Sequence, residues 1–304
     1  MRAAVGLSLA LALLASHPPA AQSRFSVTVR GGPAQPGSVL EITLTGGSAF
    51  SDPGGTIFGQ PLVFMPGDTP HVWRTLVGVD VAQPPGVVPF RIDVAAGAGR
   101  ELAATGTIQV APRTFATRRL RVAGQFVDPA PAEVGRIVAE AARLDAIFTT
   151  VTVPARLGPF VAPLGGTPGS NFGTRSIFNG EARAPHAGVD FRGATGTRIA
   201  APADGRVILA ESLFFTGETV VIDHGLGLYS LLAHLSRIDV SAGQLVGRGD
   251  TVGLLGATGR VTGPHLHWTV RVGAVRVDPM RLLALLAPTQ SGSRTRGAAG
   301  GNPR

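Results

Sequence analysis

The sequence contains no cysteine among its 304 residues. A chain without cysteine forms no disulfide, carries no lipid on an N-terminal cysteine and has no thiol nucleophile. It also lacks the G-x-S-x-G pattern of serine hydrolases, so the sequence gives no support for a covalent enzyme intermediate. Any hydrolytic chemistry is therefore expected to use other residue types.

Lysine is also absent, so the formal net charge of +8 comes entirely from arginine. The arginines are scattered, without the extended basic runs and interleaved aromatic residues that are typical of nucleic-acid binding. We therefore predict a solvated basic surface and no nucleic-acid partner. The alternative interpretation is attraction toward an anionic surface such as a cell wall or an outer membrane.

Long apolar runs are missing except at the start of the chain. After a basic second residue, Ala3–Ala15 form an apolar block too short to span a bilayer comfortably, and His17–Ala21 end in small residues. This order predicts a signal peptide over residues 1–21, cleaved near Ala20 to Gln22, with an uncleaved anchor as the alternative. We therefore expect export to the periplasm, the cell envelope or the medium, with no stable membrane insertion after cleavage.

Short runs of alternating apolar and polar residues fill the first hundred residues after the predicted signal peptide. Phe25, Val27 and Val29 share one face of the first run, and later runs repeat the pattern. Period-two alternation bounded by Gly and Pro is typical of half-buried strands. We predict an immunoglobulin-like β-sandwich over residues 22–122, without an active site.

The hydrophobic period changes between Pro129 and Phe148. Apolar residues recur there at three- and four-residue spacing, which predicts one amphipathic helix inside a linker over residues 123–156. Strand patterns and Gly-rich turns return in a predicted second domain over residues 157–286. Residues 287–304 offer nothing apolar to bury and are predicted to form a flexible tail.

Most of the seven histidines lie in the second domain. His186 and Asp190 form an H-x-x-x-D pattern, and His265 and His267 form an H-x-H pattern. Side chains alternate across a strand, so His265 and His267 are expected on one face. Two imidazoles with a third histidine and a carboxylate suit zinc, which keeps one of its four positions for water in catalytic sites. Each pattern is weak alone, but together with His234 on a neighbouring apolar strand they favour a metal site.

Six motifs then follow one another in order between residues 157 and 280. They are Asn171–Arg175 (NFGTR), His186–Asp190 (HAGVD), Gly196–Val207 (GTRIAAPADGRV), Val221–Gly227 (VIDHGLG), Ala233–Ser236 (AHLS) and Gly256–His267 (GATGRVTGPHLH). Together they resemble the M23 peptidase family, the lysostaphin-type (LytM-type) zinc endopeptidases that cut peptidoglycan peptides. The resemblance implies an antiparallel β-sheet domain with a groove. The expected fold class is thus mainly β: a β-sandwich, a connecting helix and this sheet domain.

The resemblance also implies roles for individual residues. His186, Asp190 and His267 match the zinc ligands of the family, and His234 and His265 match its catalytic histidines. A Zn²⁺-activated water would then hydrolyse bonds in peptidoglycan stem peptides or cross-links, and the chain would be a zinc metalloendopeptidase.

Leu232 departs from the family pattern, and His224 lies outside the predicted metal and catalytic set. Many family members carry a tyrosine two residues before the position of His234, whereas this chain has Leu232 there and its only tyrosine is Tyr229. His224 lies in an Asp-His-Gly sequence typical of a turn, so we predict a structural role for it.

Two other classes of function remain open from the sequence. The first is a non-catalytic LytM-like activator of a cell-wall amidase, although such relatives usually lose zinc ligands and all three positions are filled here. The second is a wall-binding module with a structural zinc, although structural zinc sites usually have four protein ligands and prefer cysteine.

Overall fold

The computed structural model describes residues 25–46, 50–95, 101–121, 129–154, 156–169 and 171–288. The predicted signal peptide and the predicted tail beyond residue 288 lie outside these residues. The described part is mainly β with largely antiparallel sheets, as predicted, and it contains two helices, of which the first corresponds to the predicted connecting helix. Neither helix combines the length and apolar character needed to cross a bilayer.

The first part of the chain is a β-sandwich of two four-stranded antiparallel sheets, in the orders β1-β2-β6-β5 and β4-β3-β7-β8. Its strands are β1 (Phe25–Arg30), β2 (Val39–Gly46), β3 (Ser51–Ile57), β4 (Gln60–Pro61), β5 (Met65–Pro66), β6 (Val72–Gly78), β7 (Gly86–Ala95) and β8 (Glu101–Val110). Ile42 and Leu44 from one sheet and Phe90 and Ile92 from the other are buried in one cluster. The alternating pattern of the sequence therefore reflects a sandwich core.

Helix α1 (Pro131–Thr149) begins two residues after the predicted start. Leu144, Ile147 and Phe148 pack against the sheet of the second part of the chain, and Phe148 is its only buried residue. Val134 and Val138, which share the predicted apolar side, are 48% and 62% exposed. The helix thus packs on one part of the chain rather than bridging two parts through solvent.

The second part is built on a nine-stranded sheet with the central order β12-β19-β16-β15-β14-β17. Strand β18 pairs with β13 and β16, and β20 pairs with β19. The strands are β12 (Gly188–Arg192), β13 (Arg198–Ala200), β14 (Gly205–Leu213), β15 (Gly217–Asp223), β16 (Leu228–Ile238), β17 (Leu245–Val246), β18 (Thr251–Leu255), β19 (His265–Val272) and β20 (Val275–Val277), followed by helix α2 (Pro279–Leu285). All pairings in this sheet are antiparallel.

The two parts share a hydrophobic core. Val39, Leu76 and Val81 of the sandwich belong to the same buried cluster as Phe160 and Trp268. A small third sheet also joins them, in which β9 (Thr117–Leu120) pairs in parallel with β10 (Arg175–Phe178), and β10 pairs with β11 (Glu181–Ala182). Strand β9 falls inside the range predicted for the first domain, yet its partner lies in the second.

Polar contacts reinforce this interface. Asp80 accepts hydrogen bonds from both the backbone and the guanidinium of Arg276, and Arg113 pairs with Asp278 at 2.6 Å. Gly37 lies against the Phe172 ring with φ of +87°, where a Cβ atom would come within 2.4 Å of a ring carbon. The parts are therefore joined over a packed surface as well as through the chain.

Candidate metal centre and catalytic face

Strand pairing brings several polar side chains together on one face of the large sheet. His265, His267 and Thr269 alternate along β19 with Leu266 and Trp268, which are fully buried on the opposite side. We call the side of the sheet that carries these histidines the histidine face. Strand β12 places its carboxylate on the same face, because Asp190 lies directly opposite His267 in the register.

His186, Asp190 and His267 converge on this face. Their potential ligand atoms all lie within 4.8 Å of one another. Asp190 Oδ1 is 3.3 Å from Nε2 of His186 and 2.9 Å from Nδ1 of His267. The three side chains remain between 15% and 27% exposed, so the group is open to solvent. Two imidazoles and one carboxylate at this spacing can hold a divalent metal ion and leave a position for water or substrate.

Hydrogen bonds determine which ring nitrogen of each ligand faces the group. Nδ1 of His186 lies 2.7 Å from the carbonyl oxygen of Gly188, so we assign the proton to Nδ1, and Nε2 is left as the ligand atom. His267 has the opposite arrangement, because its Nδ1 faces Asp190 and its Nε2 lies 2.9 Å from the Thr269 hydroxyl; with a metal on Nδ1, the proton would lie on Nε2 and be donated to Thr269. Such contacts fix the tautomer and the ring orientation of metal-binding histidines.

His234 and His265 are held beside the group by one loop, residues 256–264. Nδ1 of His234 donates to the carbonyl of Thr258 and Nδ1 of His265 to that of Gly263, each at 2.9 Å. The two rings lie 4.8 Å apart, and His234 is 6.0 Å from His267 between ring centroids. Each Nε2 atom is thus left with its lone pair available for proton transfer.

The backbone of His234 is unusual for a non-glycine residue, with φ of +65°. It lies where the pairing of β16 with β15 shifts register, and its N–H donates to the carbonyl of Thr216 at 2.8 Å. A β-bulge of this kind re-aims a side chain. Left-handed backbone outside glycine costs about 1–3 kcal/mol and is concentrated at functional sites.

The electrostatics of the group favour cation binding. Burial acts to raise the pKa of Asp190, but the neighbouring rings of His186 and His267 outweigh it and hold that pKa well below its usual range. Burial lowers the pKa of His267, and burial together with His267 lowers the pKa of His234 to about 4. At pH 7, Asp190 is therefore ionised while His234 and His267 are neutral.

His224 lies away from the histidine face, in the core behind it. Its Nδ1 donates to the carbonyl of Asp204 at 2.8 Å, and its Nε2 accepts from the Ser230 hydroxyl at 3.0 Å. Ser230 in turn accepts from the indole N–H of Trp268 at 3.2 Å. This satisfied chain of hydrogen bonds agrees with the structural role predicted for His224.

Two residues of the site were not singled out by sequence reasoning. The amide of Asn171 donates to Asp190 Oδ2 at 2.6 Å, and its carbonyl oxygen accepts from the Asp190 backbone. Thr269 holds His267, as described above. Both could have been identified from the sequence. Asn171 is the first residue of the first of the six motifs, and Thr269 lies two residues after His267, so it is expected on the same face of the strand.

The position occupied by Leu232 faces away from the site. Leu232 is fully buried in the main hydrophobic cluster and lies opposite Trp268 in the register. Tyr229 does not replace a tyrosine at that position, since its hydroxyl donates to the carbonyl of Thr150 at the end of α1. The site therefore lacks a tyrosine hydroxyl among the described residues.

Comparison with known proteins places this site in a family. The sequence profile of Peptidase family M23 matches residues 184–279, a range that contains all five residues discussed above: His186, Asp190, His234, His265 and His267. The peptidoglycan DD-endopeptidases ShyA and ShyB of Vibrio cholerae are both 42% identical, over 113 and 97 residues. These matches span 37% and 32% of this chain but only 26% and 23% of the relatives' lengths.

A solved structure extends the similarity beyond the sheet domain. A Pseudomonas aeruginosa crystal structure described as a peptidase M23 protein is 32% identical, with a TM-score of 0.62. The match covers 83% of this chain and 95% of that one, so it includes the sandwich as well. On this evidence the chain belongs to peptidase family M23.

Proposed function

We propose that this protein is a zinc-dependent endopeptidase that hydrolyses peptide bonds in peptidoglycan stem peptides or cross-links. The observation that carries the proposal is the convergence of His186, Asp190 and His267 with two further histidines, whose Nε2 atoms are available, on one open face. The names of the relatives ShyA and ShyB, both peptidoglycan DD-endopeptidases, support the substrate class.

The ligand set fits zinc. His186 through Nε2, Asp190 through Oδ1 and His267 through Nδ1 would hold the ion. Asn171 would orient Asp190, and Thr269 would orient His267. A bound zinc supplies Lewis acidity toward a carbonyl and lowers the pKa of water to about 7. Three protein ligands are typical of a catalytic rather than a structural zinc site.

The remaining histidines can move the proton that hydrolysis requires. With Nδ1 committed to Thr258 and to Gly263, His234 and His265 each direct an unprotonated Nε2 toward the reacting centre. One can take a proton from the attacking water and deliver it to the leaving amine. The other, if it first takes up a proton from solvent, can donate a hydrogen bond to the developing oxyanion and keeps that proton when the products form. The atoms of a peptide bond and one water are thereby accounted for without a covalent intermediate.

Metal analysis combined with a cell-wall assay tests the proposal. The full chain is expected to contain about one zinc per molecule and to release peptides with new amino and carboxyl termini from purified sacculi. Chelation should stop release and added zinc should restore it. A zinc-loaded chain that cleaves no peptide but stimulates a separate amidase would instead establish the non-catalytic alternative.

We also propose that the protein is exported, with residues 1–21 as its signal peptide. The substrate class places its work in the cell envelope, and the apolar block at the start of the sequence has the length and flanks of a signal. Amino-terminal sequencing of the protein from envelope fractions should give a start near Gln22. Recovery of the intact terminus in the membrane fraction would indicate an anchor instead.

A further inference from the structure

Helix α1 lies on the histidine face itself. Phe148 packs edge-on against Tyr229 of β16 with ring centroids 5.5 Å apart, and the Arg271 guanidinium of β19 lies 4.9 Å from the Phe148 ring. In the register of these two strands, Tyr229 lies opposite Arg271 and Ala233 lies opposite His267. Because residues two apart share a face, the end of the helix covers the same side of the sheet as the metal ligands.

The other end of the helix is attached to a more distant strand. Arg136 donates to the carbonyl of Ser212, Glu140 accepts from the backbone of Phe214, and Arg143 pairs with Glu211. These partners lie on β14 and just beyond it, and two strands, β16 and β15, separate β14 from β19. The helix therefore crosses the face diagonally, with the Arg136, Glu140 and Arg143 flank turned toward β14.

The opposite flank of the helix must then look back toward β16 and β19. It carries Val134, Val138, Ala141 and Asp145, which recur at three- and four-residue spacing. Phe148 follows Asp145 at the same spacing, and its ring lies 4.9 Å from the Arg271 guanidinium of β19, which places this flank on the β19 side. We call Val134, Val138 and Ala141 the groove flank.

The groove flank is apolar and accessible. Val134 and Val138 are about half exposed or more, although the helix has a buried side available for apolar residues. A peptide that reaches His265 and His267 extends by about 3.3 Å per residue, so a few residues carry it past the metal ligands along the wall formed by α1. Ala233, which lies opposite His267 in the register, is buried in the same cluster as Phe148, with Leu144 and Ile147 of α1 packed against that cluster, so the packing of the helix extends to the metal-ligand end of the sheet.

We infer that α1 forms a wall of the substrate groove and that Val134, Val138 and Ala141 contact small apolar side chains of the bound peptide. The inference rests on the proposed endopeptidase function and adds to it a set of residues that determine specificity. These residues belong neither to the proposed metal ligands nor to the two histidines proposed to move protons. Their contribution is to substrate binding, so KM should respond to their substitution more than kcat.

The first experiment removes the apolar contact. The double variant Val134→Ser, Val138→Ser is compared with Ala139→Ser, which alters an exposed residue on the other side of the helix. With a soluble cross-linked muropeptide as substrate, the double variant should lose about 10-fold in kcat/KM, mostly through KM. Zinc content and melting temperature should match the wild type, and Ala139→Ser should match it in every measurement.

The second experiment uses the absence of native cysteine. A single cysteine is introduced at Val138 in one variant and at Ala139 in another. Around the helix axis, the two positions lie at similar angles from the buried side but on opposite flanks, so Ala139→Cys is the matched control for Val138→Cys. A bulky maleimide on Val138→Cys should block cleavage, whereas the same label on Ala139→Cys should not.

The outcomes separate the two proposals. If the unlabelled, zinc-loaded chains cleave no muropeptide, the endopeptidase function fails and the groove flank with it. If the unlabelled chains cleave but labelled Val138→Cys is as active as labelled Ala139→Cys, the endopeptidase function stands and the inference about α1 is wrong. An unchanged KM in the double serine variant would contradict the inference in the same way.

Discussion

A single hydroxyl at the metal group directs the ring of His267. With a metal bound as proposed, Thr269 would accept from Nε2 and leave Nδ1 for the ion. Thr269→Val keeps the shape of the buried side chain but removes the acceptor, so we expect zinc affinity to fall by about 10–100-fold. Titration against a chelator of known affinity measures the change, and Thr269→Ser, which keeps the hydroxyl, is the control. Equal affinity in the valine variant would mean that the ring is oriented by packing alone.

Metal binding and proton transfer are assigned to different histidines, and paired variants separate them. His267→Ala should lose both zinc and hydrolysis, because the site loses one of three protein donors. His234→Ala should retain zinc and lose about 10²–10⁴-fold in turnover, the usual contribution of a positioned acid or base. Zinc content and turnover are measured on the same preparations. Loss of zinc in His234→Ala with retention in His267→Ala would show that the roles are reversed.

Burial of His224 gives folding stability a dependence on pH. Burial lowers its pKa to about 4, below the usual 6.5, so the unfolded chain binds more protons between these values. The free energy of unfolding should therefore be highest above pH 6.5 and fall by up to about 3 kcal/mol by pH 4. Urea unfolding of the wild type is compared with His224→Gln, which can donate and accept hydrogen bonds but does not titrate. Parallel pH profiles for the two chains would exclude His224 as the source.

Residue-scale prediction from the sequence named side chains that the structure brings together on one face, but not the groups that hold them. The H-x-H spacing predicts one face for His265 and His267, because alternation is a property of any strand. The carbonyls of Thr258 and Gly263, which fix two tautomers, belong to the backbone and have no sequence signature. The left-handed turn at His234 depends on how β16 pairs with β15, which periodicity along one strand does not specify.

At the scale of elements, helix α1 shows both the strength and the limit of hydrophobic periodicity. The three- and four-residue spacing predicts the helix over Pro129–Phe148, close to its observed bounds of Pro131–Thr149. It also predicts one apolar side, yet Val138 on that side is exposed while Phe148 is buried. The spacing of apolar residues depends only on the helix. Which of these residues are buried depends on how the helix crosses the sheet.

The anchoring of α1 can be tested through stability. Phe148→Ala removes a ring that packs against Tyr229 and lies under Arg271, so we expect a loss of about 3–5 kcal/mol in the free energy of unfolding. Val138→Ala, on the same helix but exposed, should change it by less than about 0.5 kcal/mol. Chemical denaturation followed by circular dichroism measures both. Similar losses in the two variants would mean that the helix is not held by Phe148.

At the scale of the whole molecule, the sequence predicts a sandwich and a sheet domain but not the hydrophobic core and the ion pairs that join them. Alternation along β2 and β6 identifies buried residues without saying which core they enter. Val39 and Leu76 in fact join the core of the second part of the chain, and Asp80 pairs with Arg276 across the interface. Contacts between residues so distant in sequence leave no local pattern, so the expected division at residues 122 and 157 remains a prediction.

A shared core predicts that the chain unfolds as one unit. The two tryptophans report on its two parts, because Trp73 packs against the sandwich core and Trp268 is buried in the core behind the histidine face. In Trp73→Phe and in Trp268→Phe, the emission of the remaining tryptophan should change at the same urea concentration as the far-ultraviolet circular dichroism of that variant. Both measurements are made in chelator, so that zinc binding does not stabilise one part selectively. Unfolding of the sandwich would remove Val39 and Leu76 from the core of the second part, so neither part should unfold before the other. An emission change well separated from the circular dichroism in either variant would show that the sandwich and the sheet domain fold independently, despite the ion pairs that join them.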